Sequence, residues 1–471
     1  MFVQQLYTNC LSEAAYYIES NGEAAIIDPL RDINEYLQLS QQRNTSIKYI
    51  FETHFHADFV SGHLDLAAAT GATIVYGPGA DCNFKAHIAK DGEVFYIGNI
   101  SLKVLHTPGH TLESCCYLLI DEDGKDYAVF TGDTLFVGDV GRPDLAQKGE
   151  ELTMYDLAGM LYNSLHSKII SLNDEVIVYP AHGAGSSCGK NLGKETFSTI
   201  GEQKKLNYAL QSQTEDEFIK AVTDGLEAPP KYFFTDAKIN KQGYGNLNGI
   251  LQKSLKPLSV NNFKEAAQNS DDTIILDTRS AGIFAQGFIP SSIFIGLEGR
   301  FAEWAGSLLP FDKNIMLVTE QGKEQETVTR LARVGFEKIT GYLNGGFEAW
   351  KNAGETVDML INVEPDELAM DIPFDDKLLI VDVRKETEFA DGHIKNAINM
   401  PLTGFTDPAT IAELDDGYNL YLQCGSGYRS VIAGSLLKQQ GVHNLRNISG
   451  GWNKILLLQD KFEIEKEDAN A

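Results

Sequence analysis

Residues that could bind a metal ion follow several apolar runs in the first part of the sequence. The run at residues 47–51 leads directly into ETHFHAD (residues 52–58), which places His54, His56 and Asp58 at alternate positions. Three later runs of the same kind end near three more candidate ligands, His110, Asp133 and His182. Imidazole nitrogens and carboxylate oxygens are donors that Zn²⁺ and Fe²⁺ accept in proteins. The sequence therefore predicts a metal site built from strand ends.

The order HxHxD, His, Asp, His resembles the metallo-β-lactamase superfamily, and this implies an αββα sandwich. Phe59 stands where two-metal members of the superfamily carry a histidine, so the resemblance implies a single metal ion. Together with TGDTLFVGDVGRPD (residues 131–144), this mononuclear pattern resembles the persulfide dioxygenases. It implies one Fe(II) per chain, held by His54, His110 and Asp133. The other motif residues are then neighbours of the site or alternative ligands, namely His56, Asp58 and His182.

The first domain is expected over residues 1–250. Short β-rich runs at 14–18, 23–27, 72–76, 100–106 and 114–120 alternate with helical stretches at 33–42 and 152–165. Residues 202–248 are polar, contain Pro229-Pro230 and end in a glycine-rich segment. We expect this stretch to be a helical excursion and linker that closes the domain.

An internal repeat fills the rest of the sequence. Asp382 and Arg384 follow Asp277 and Arg279 at a constant offset (382 − 277 = 105), and paired glycines at 345–346 and 450–451 keep the same offset. A fixed period of this kind indicates homologous units. We expect two α/β domains, at residues 255–355 and 360–471.

The last copy carries a candidate nucleophile. Residues 419–423 predict a buried strand that delivers Cys424 into a short loop with two glycines, followed by a helix predicted at residues 431–440. Backbone N–H groups of such a loop and the helix N-terminus stabilise a thiolate. Cys424 with Arg429, the upstream DVR motif and GHI resembles the active domain of rhodanese sulfurtransferases. The resemblance implies that Cys424 carries a sulfane sulfur and that Arg429 organises its loop.

The middle copy lacks these groups. The offset places Thr319 at the position of Cys424 (424 − 105 = 319) and Glu324 at that of Arg429 (429 − 105 = 324). A hydroxyl beside a carboxylate cannot replace a thiolate beside a guanidinium. The domain therefore resembles an inactive rhodanese, and we expect a spacer role, with a regulatory or ligand-binding role left open.

Composition limits the partners. The formal net charge of −27 argues against nucleic acid and anionic membranes, which both require a basic surface. No apolar run reaches the roughly 18 residues of a membrane span. The six cysteines include no CxxC pair, so neither a disulfide framework nor a structural zinc site is expected. We expect a cytoplasmic protein, and the sequence leaves a homo-oligomer open.

Together, the two resemblances imply a non-haem Fe(II) persulfide dioxygenase coupled to a sulfurtransferase in sulfide detoxification. Low-molecular-weight persulfide and O₂ would be consumed, and sulfite or thiosulfate formed or used. The carrier thiol stays open. Three residues are candidates for substrate binding: Cys188, Arg142 and Lys190. The alternative is a zinc thioester hydrolase, similar to glyoxalase II, fused to a rhodanese.

Overall fold

The computed structural model describes residues 1–467 except 148, 150, 212–213, 269–271, 413 and 415–416. The chain forms two compact units. The first contains Met1–Ile250 with Leu331–Gly335, and the second contains Leu251–Arg330 with Phe336–Ala471. Among the described residues, no helix combines the length and the apolar character that crossing a bilayer requires.

Two six-stranded sheets form the centre of the first unit. The first sheet contains β1 (Phe2–Thr8), β2 (Glu13–Ser20), β3 (Glu23–Ile27), β4 (Ser46–Phe51), β5 (Thr73–Tyr76) and β6 (His87–Ile88) in sequential order. The second contains β7 (Val94–Ile97), β8 (Ile100–His106), β9 (Cys115–Ile120), β10 (Asp126–Gly132), β11 (Ile177–Pro180) and β12 (Ser198–Thr199), also in sequential order. Alternating apolar side chains of both sheets, such as Ile18, Val104 and Phe130, form one shared core between them.

Helices cover the outer faces of the two sheets. They are α1 (Asn34–Arg43), α2 (His63–Thr70), α3 (Met154–Ser164), α4 (Ile200–Leu206), α5 (Glu215–Thr223), α6 (Phe233–Gln242) and α7 (Leu247–Ser254). Tyr36 and Leu66 pack α1 and α2 beneath the first sheet, and Leu161 and Phe218 pack α3 and α5 beneath the second. The layers therefore run helix, sheet, sheet, helix, and the predicted αββα sandwich is confirmed.

The second unit contains two parallel five-stranded sheets. The first has the order β13-β17-β16-β14-β15, from β13 (Pro257–Leu258), β14 (Thr273–Asp277), β15 (Ile293–Phe294), β16 (Asn314–Val318) and β17 (Ile339–Leu343). The other has the order β18-β23-β22-β19-β21, from β18 (Ile361–Val363), β19 (Leu378–Asp382), β21 (Ile398–Asn399), β22 (Asn419–Gln423) and β23 (Leu445–Ile448). A separate antiparallel pair joins β20 (His393–Ile394) to β24 (Ile464–Glu465).

The helices of this unit repeat in the same way. The middle copy contains α8 (Val260–Gln268), α9 (Ala281–Gln286), α10 (Phe301–Leu308), α11 (Glu324–Ala332) and α12 (Gly346–Asn352). The last copy contains α13 (Pro365–Asp371), α14 (Glu386–Ala390), α15 (Pro408–Ala412), α16 (Tyr428–Gln439) and α17 (Gly451–Leu456). Helix α16 begins three residues before the predicted start at 431, because Gly427 adopts φ 93° as its N-cap. Strands β14 and β19, and likewise β16 and β22, keep the offset read from the sequence.

Candidate functional site

Three of the predicted ligands converge at one end of the sandwich. His54 follows β4, and Asp133 follows β10 of the other sheet. The side-chain donor atoms of His54, His110 and Asp133 lie within 4.8 Å of one another. His54 Nε2 lies 3.8 Å and His110 Nε2 lies 3.4 Å from Asp133 Oδ2. All three residues are buried, so the group is shielded from bulk water.

Hydrogen bonds set the orientation of His54. The Asp28 carboxylate accepts the Thr53 backbone N–H and the Thr53 hydroxyl, both at 2.8 Å. Since the hydroxyl proton is used on Asp28, Thr53 Oγ1 accepts from His54 Nδ1 at 3.0 Å. The lone pair of Nε2 is then directed at Asp133. Burial and the neighbouring imidazoles hold the pKa of His54 well below its usual value, which keeps the ring neutral.

Backbone carbonyls orient two further histidines. His110 Nδ1 donates to Arg142 O at 2.9 Å, and His182 Nδ1 donates to Ser12 O at 3.2 Å. A carbonyl can only accept, so both Nδ1 atoms carry a proton, and in the neutral tautomer each Nε2 keeps a lone pair. His182 Nε2 lies 3.5 Å from the second oxygen of Asp133. In that tautomer the site presents imidazole lone pairs around one carboxylate.

Buried atoms that could bind a metal ion have no hydrogen-bond partner at this centre in the described part of the chain. Among the described residues, both oxygens of Asp133 and the Nε2 atoms of His110 and His182 make no hydrogen bond. Buried polar atoms are normally paired, and an exception calls for an ion or a ligand. Two histidines and one carboxylate with an open face fit Fe(II), and a Zn²⁺ ion also accepts these donors.

His56 does not join this group. Its Nε2 lies 3.0 Å from Asp28 Oδ1 and 3.5 Å from Glu52 Oε2, and all three side chains are buried. Burial alone would lower the pKa of His56, but the two carboxylates more than offset this and raise it well above its usual value. A protonated imidazole is a donor and cannot ligate a metal. His56 therefore neutralises buried charge beside the site.

A second group of donors lies on the other side of Asp133. Asp58, His182 and Cys188 are buried, and their side-chain donors lie within 4.8 Å of one another. Burial, and then the carboxylates of Asp58 and Asp133, raises the pKa of the Cys188 thiol well above its usual value. The phenyl ring of Phe59 has no atom that can bind a metal ion, and it stacks on His56 at a centroid distance of 4.3 Å. The predicted neighbours Asp58, His182 and Cys188 are thus brought to the site.

The side chains of Arg142 and Lys190 both form hydrogen bonds with other residues of the first unit. The Arg142 guanidinium pairs with Asp144 at 2.7 and 2.8 Å and donates to Ser187 O and Glu227 O. Lys190 Nζ donates to the carbonyls of Ala221 and Asp224. Carbonyl and carboxylate oxygens of the chain thus bond both cations, and their binding of an anionic thiol stays a prediction. Arg142 also serves the site through the carbonyl that orients His110.

Several supporting residues were not found from the sequence. Asn240 donates to the carbonyls of His56 and Phe59 and accepts the backbone N–H of Ser61, so one side chain holds the motif loop. Glu13 is fully buried, forms an isolated bridge with His182, and burial raises its pKa well above its usual value. No spacing rule connects either residue to the motif, which explains why pattern reading missed them.

The second predicted site lies in the last copy of the repeat. Strand β22 ends at Gln423, and Cys424 follows as a buried residue. The Gly427 backbone N–H donates to Cys424 Sγ at 3.1 Å, and Ser430 Oγ lies 3.3 Å from the same sulfur. A Cβ added at Gly451 would lie 2.2 Å from the Cys424 carbonyl oxygen, so only glycine allows the chain to close over the loop. The geometry suits an anionic sulfur.

Arg429 is fixed at the rim of this loop. Its guanidinium donates to both oxygens of Glu388, at 2.6 and 2.7 Å. Burial alone would raise the pKa of Glu388, but the bond and the charge of Arg429 lower it below its usual value. The resemblance implied a loop-organising role for Arg429, and the pair with Glu388 is the contact that holds its guanidinium. A bidentate pair of this kind fixes a planar guanidinium in place.

The corresponding place in the middle copy contains no nucleophile. Thr319 is buried directly after β16, and Glu324 is the first residue of α11. Gly346 again approaches the loop, since an added Cβ would lie 3.1 Å from Thr319 O. The scaffold around the position is kept, while the thiol and the guanidinium are absent from it.

Family models match both parts of the chain. Residues 8–182 match the metallo-beta-lactamase superfamily, and residues 259–353 and 364–457 each match the rhodanese-like domain. The crystal structure of a metallo-beta-lactamase from Staphylococcus aureus subsp. aureus COL is 34% identical with a TM-score of 0.64, and the match covers 73% of this chain and 99% of that one. The likeness therefore extends well beyond the metal domain.

Two curated relatives with different activities are equally similar. A probable hydroxyacylglutathione hydrolase of Schizosaccharomyces pombe is 32% identical over 249 residues, 48% of this chain and 91% of its own length. The mitochondrial persulfide dioxygenase ETHE1 of Mus musculus is 32% identical over 209 residues, 44% of this chain and 73% of its own length. Identity alone thus does not choose between hydrolysis and oxygenation.

Proposed function

The chain belongs to the metallo-beta-lactamase superfamily and carries two rhodanese-like domains, and from this premise we propose that it is an iron-dependent persulfide dioxygenase fused to a sulfurtransferase. The net first reaction is RSSH + O₂ + H₂O → RSH + SO₃²⁻ + 2H⁺. The second transfers the sulfane sulfur of a Cys424 persulfide to sulfite, which gives thiosulfate and the free thiolate.

The observation that carries the proposal is the donor group of His54, His110 and Asp133. Two neutral imidazoles and one carboxylate are the ligand set of non-haem Fe(II) oxygenases, which leave an open face. Iron(II) held there would supply the binding and activation of O₂ beside the persulfide. The chain itself orients the ligands through Thr53 and the Arg142 carbonyl and excludes bulk water by burial.

Charges beside the triad support a sulfur substrate. Asp58 and Cys188 lie on the far side of Asp133, and Cys188 offers a soft, polarisable atom near the expected substrate sulfur. The protonated His56 offsets part of the charge of Asp28 and Glu52 without competing for the ligand positions. With neutral imidazoles the triad carries the single negative charge of Asp133, so a divalent cation bound there would leave a net positive centre for an anionic sulfur.

The Cys424 loop supports the sulfurtransferase half. The Gly427 amide and Ser430 hydroxyl face the sulfur, and Arg429 lies in the first turn of the helix that follows the loop. These groups stabilise a thiolate or a persulfide anion. A rhodanese-like domain in the same chain would consume the sulfite that the first reaction forms.

A second candidate is a zinc thioester hydrolase. The additional donors Asp58, His182 and Cys188 favour it, because they could hold a second ion beside the triad. The likeness to a probable hydroxyacylglutathione hydrolase points the same way. Phe59 weighs against it, since its ring supplies no donor at the motif position.

Metal content and O₂ uptake separate the two candidates. Anaerobically purified protein should contain about one iron per chain and consume O₂ with a low-molecular-weight persulfide. His110→Ala should lose iron and O₂ uptake but keep sulfur transfer at Cys424. His87→Ala is the matched control, because His87 is 44% exposed and contacts Glu93 and Phe95 outside the candidate metal site. Two tightly bound zinc ions with efficient thioester turnover would overturn the iron assignment.

A further inference from the structure

Helix α16, which follows the Cys424 loop, is buried on all sides. Every residue from Ser430 to Leu437 is buried, although the helix packs on only one face against β22 and β23 of its own sheet. The other face packs against β15 and α9 of the middle copy. A helix that is apolar all round needs a partner on each side. The middle copy supplies that partner.

Two hydrogen bonds, one buried and one partly buried, join the middle copy to this helix. The Phe294 backbone N–H donates to Ser435 Oγ at 3.0 Å. The Tyr428 hydroxyl donates to Gly296 O at 2.8 Å, and the Tyr428 ring meets Phe294 edge-on at a centroid distance of 5.7 Å. Burial raises the pKa of Tyr428, which keeps its hydroxyl a donor. Tyr428 lies between Gly427, whose amide faces Cys424 Sγ, and Arg429.

The acceptor of Tyr428 is itself anchored. Ile295 N donates to Asp277 O and Leu297 N donates to Thr278 O, both at 3.0 Å, so Gly296 is pinned at the end of β14. A Cβ added at Gly296 would lie 3.0 Å from Phe294 Cζ and 3.1 Å from both Arg279 O and Tyr428 Cε2, so the backbone here is tightly enclosed and the Tyr428 ring is one of its neighbours. The segment therefore offers a rigid carbonyl at a fixed place.

The residues of the middle copy that correspond to Tyr428 and Ser435 bond within their own copy. The offset places Lys323 at the position of Tyr428 (428 − 105 = 323), and Lys323 Nζ pairs with Glu326 of α11, the helix that follows it. Arg330 corresponds to Ser435 (435 − 105 = 330) and donates to Leu297 O of its own copy. The middle copy thus holds the loop of the last copy without receiving the same contact in return.

We propose that Tyr428 is a positioning residue for Cys424, and that through its bond to Gly296 the middle copy is a working part of the sulfurtransferase site. The bond fixes the first turn of α16, and with it the Gly427 amide that faces the sulfur. The inference rests on the proposed role of Cys424 in sulfur transfer. It gives the inactive copy a task beyond that of a spacer.

The test substitutes each partner of the hydrogen bond between Tyr428 and Gly296 in the whole chain. Tyr428→Phe removes only the hydroxyl, and Gly296→Ala crowds the contact from the other side, since the added Cβ would press on Phe294 Cζ, Arg279 O and the intact Tyr428 ring. Tyr421→Phe is the matched control, because Tyr421 lies on β22 and loses one hydroxyl bond to Asp371 of its own copy. The readouts are the rate of Cys424 alkylation, identified by mass spectrometry, and kcat and KM for sulfur transfer to sulfite or cyanide.

Tyr428→Phe and Gly296→Ala should each lower the alkylation rate and kcat about tenfold with KM unchanged, which is the effect of losing about one hydrogen bond. The double variant should lose no more than either single variant, since both disrupt one contact. Tyr421→Phe should match the wild type. Wild-type reactivity in Tyr428→Phe, additive losses in the double variant, or an equal loss in Tyr421→Phe would overturn the inference. Absence of sulfur transfer in the wild type would instead count against the proposed function, and alkylation would still report on Tyr428.

Discussion

The middle and last copies of the repeat hold their folds with the same buried ion pair. Arg279 Nη2 lies 2.6 Å from Asp277 Oδ2, and Arg384 Nη2 lies 2.6 Å from Asp382 Oδ2. Each guanidinium also donates to a glycine carbonyl, at 2.8 Å in the middle copy and 2.7 Å in the last. An aromatic ring lies under each, Phe347 at 4.2 Å and Trp452 at 4.4 Å. The two copies thus share the same arginine–aspartate pair, the same bond to a glycine carbonyl and an aromatic ring beneath the guanidinium.

The copies differ where side chains enter the loop after the central strand. The last copy has Cys424 facing the Gly427 amide and Arg429 paired with Glu388. The middle copy has Thr319 and the carboxylate of Glu324 at the matching places. The difference shows that fold and chemistry are separable in this domain. The strand order, the ion pair and a glycine that approaches the loop are common to both copies, while these side chains differ.

Breaking the shared ion pair should have the largest effect, and a similar one in both copies. Asp277→Asn and Asp382→Asn each leave a buried guanidinium without its charged partner, and should lower the free energy of unfolding by about 3 kcal/mol. Denaturant unfolding, combined with hydrogen exchange of β14 and β19, measures the loss in each copy. A loss confined to the last copy would mean that the middle pair is not structural.

Removing the partner of Arg429 should have an intermediate effect on activity. Glu388→Gln takes away one charge of a bidentate pair, so the guanidinium loses its fixed position and sulfur transfer should fall about tenfold. Because the folded-state pKa of Glu388 is lowered, the pair should persist at neutral pH and be lost only as the pH falls through that lowered pKa.

The matched control for this variant is Glu324→Gln in the middle copy, which should leave sulfur transfer at the wild-type rate. A pH–rate profile of wild type and Glu388→Gln checks both statements. Equal rates of sulfur transfer in Glu388→Gln and Glu324→Gln would show that the Glu388 carboxylate is not needed to hold Arg429 in place.

Placing a thiol in the middle copy should have the smallest effect. Thr319→Cys puts sulfur at the matching position, but the nearby Glu324 opposes a thiolate. The new thiol should alkylate slowly and add no sulfur transfer, which mass spectrometry of persulfide-treated protein can establish. Efficient loading at residue 319 would show that the loop backbone alone is sufficient for the chemistry.

The parts that the sequence predicted are those with a local or periodic signal. The constant offset anticipated the matching of β14 with β19 and of β16 with β22. The strand-end pattern anticipated which side chains meet at the metal site. These features follow from hydrophobic periodicity and from the places where strands end.

The parts that had no such signal depend on contacts between distant residues. His56 was expected as a neighbour of the triad or an alternative ligand, and its pairing with Asp28 and Glu52 was not anticipated. Nor were the bonds of Arg142 to Asp144 and to the Glu227 carbonyl, 85 residues away. The partner of a buried charge is set by tertiary packing, and spacing along the chain does not encode it.

Product analysis after brief turnover tests the coupling of the two sites most directly. Wild-type protein with a low-molecular-weight persulfide and O₂ should give mainly thiosulfate, whereas Cys424→Ser should give sulfite at a similar rate of O₂ uptake. A serine hydroxyl cannot carry sulfane sulfur, and the metal site lies in the other unit, with its own core. Sulfite mixed with persulfide in the absence of protein controls for uncatalysed thiosulfate. Unchanged thiosulfate output from Cys424→Ser would contradict the account and make Cys188 the thiol to test, and loss of O₂ uptake would contradict the independence of the two sites.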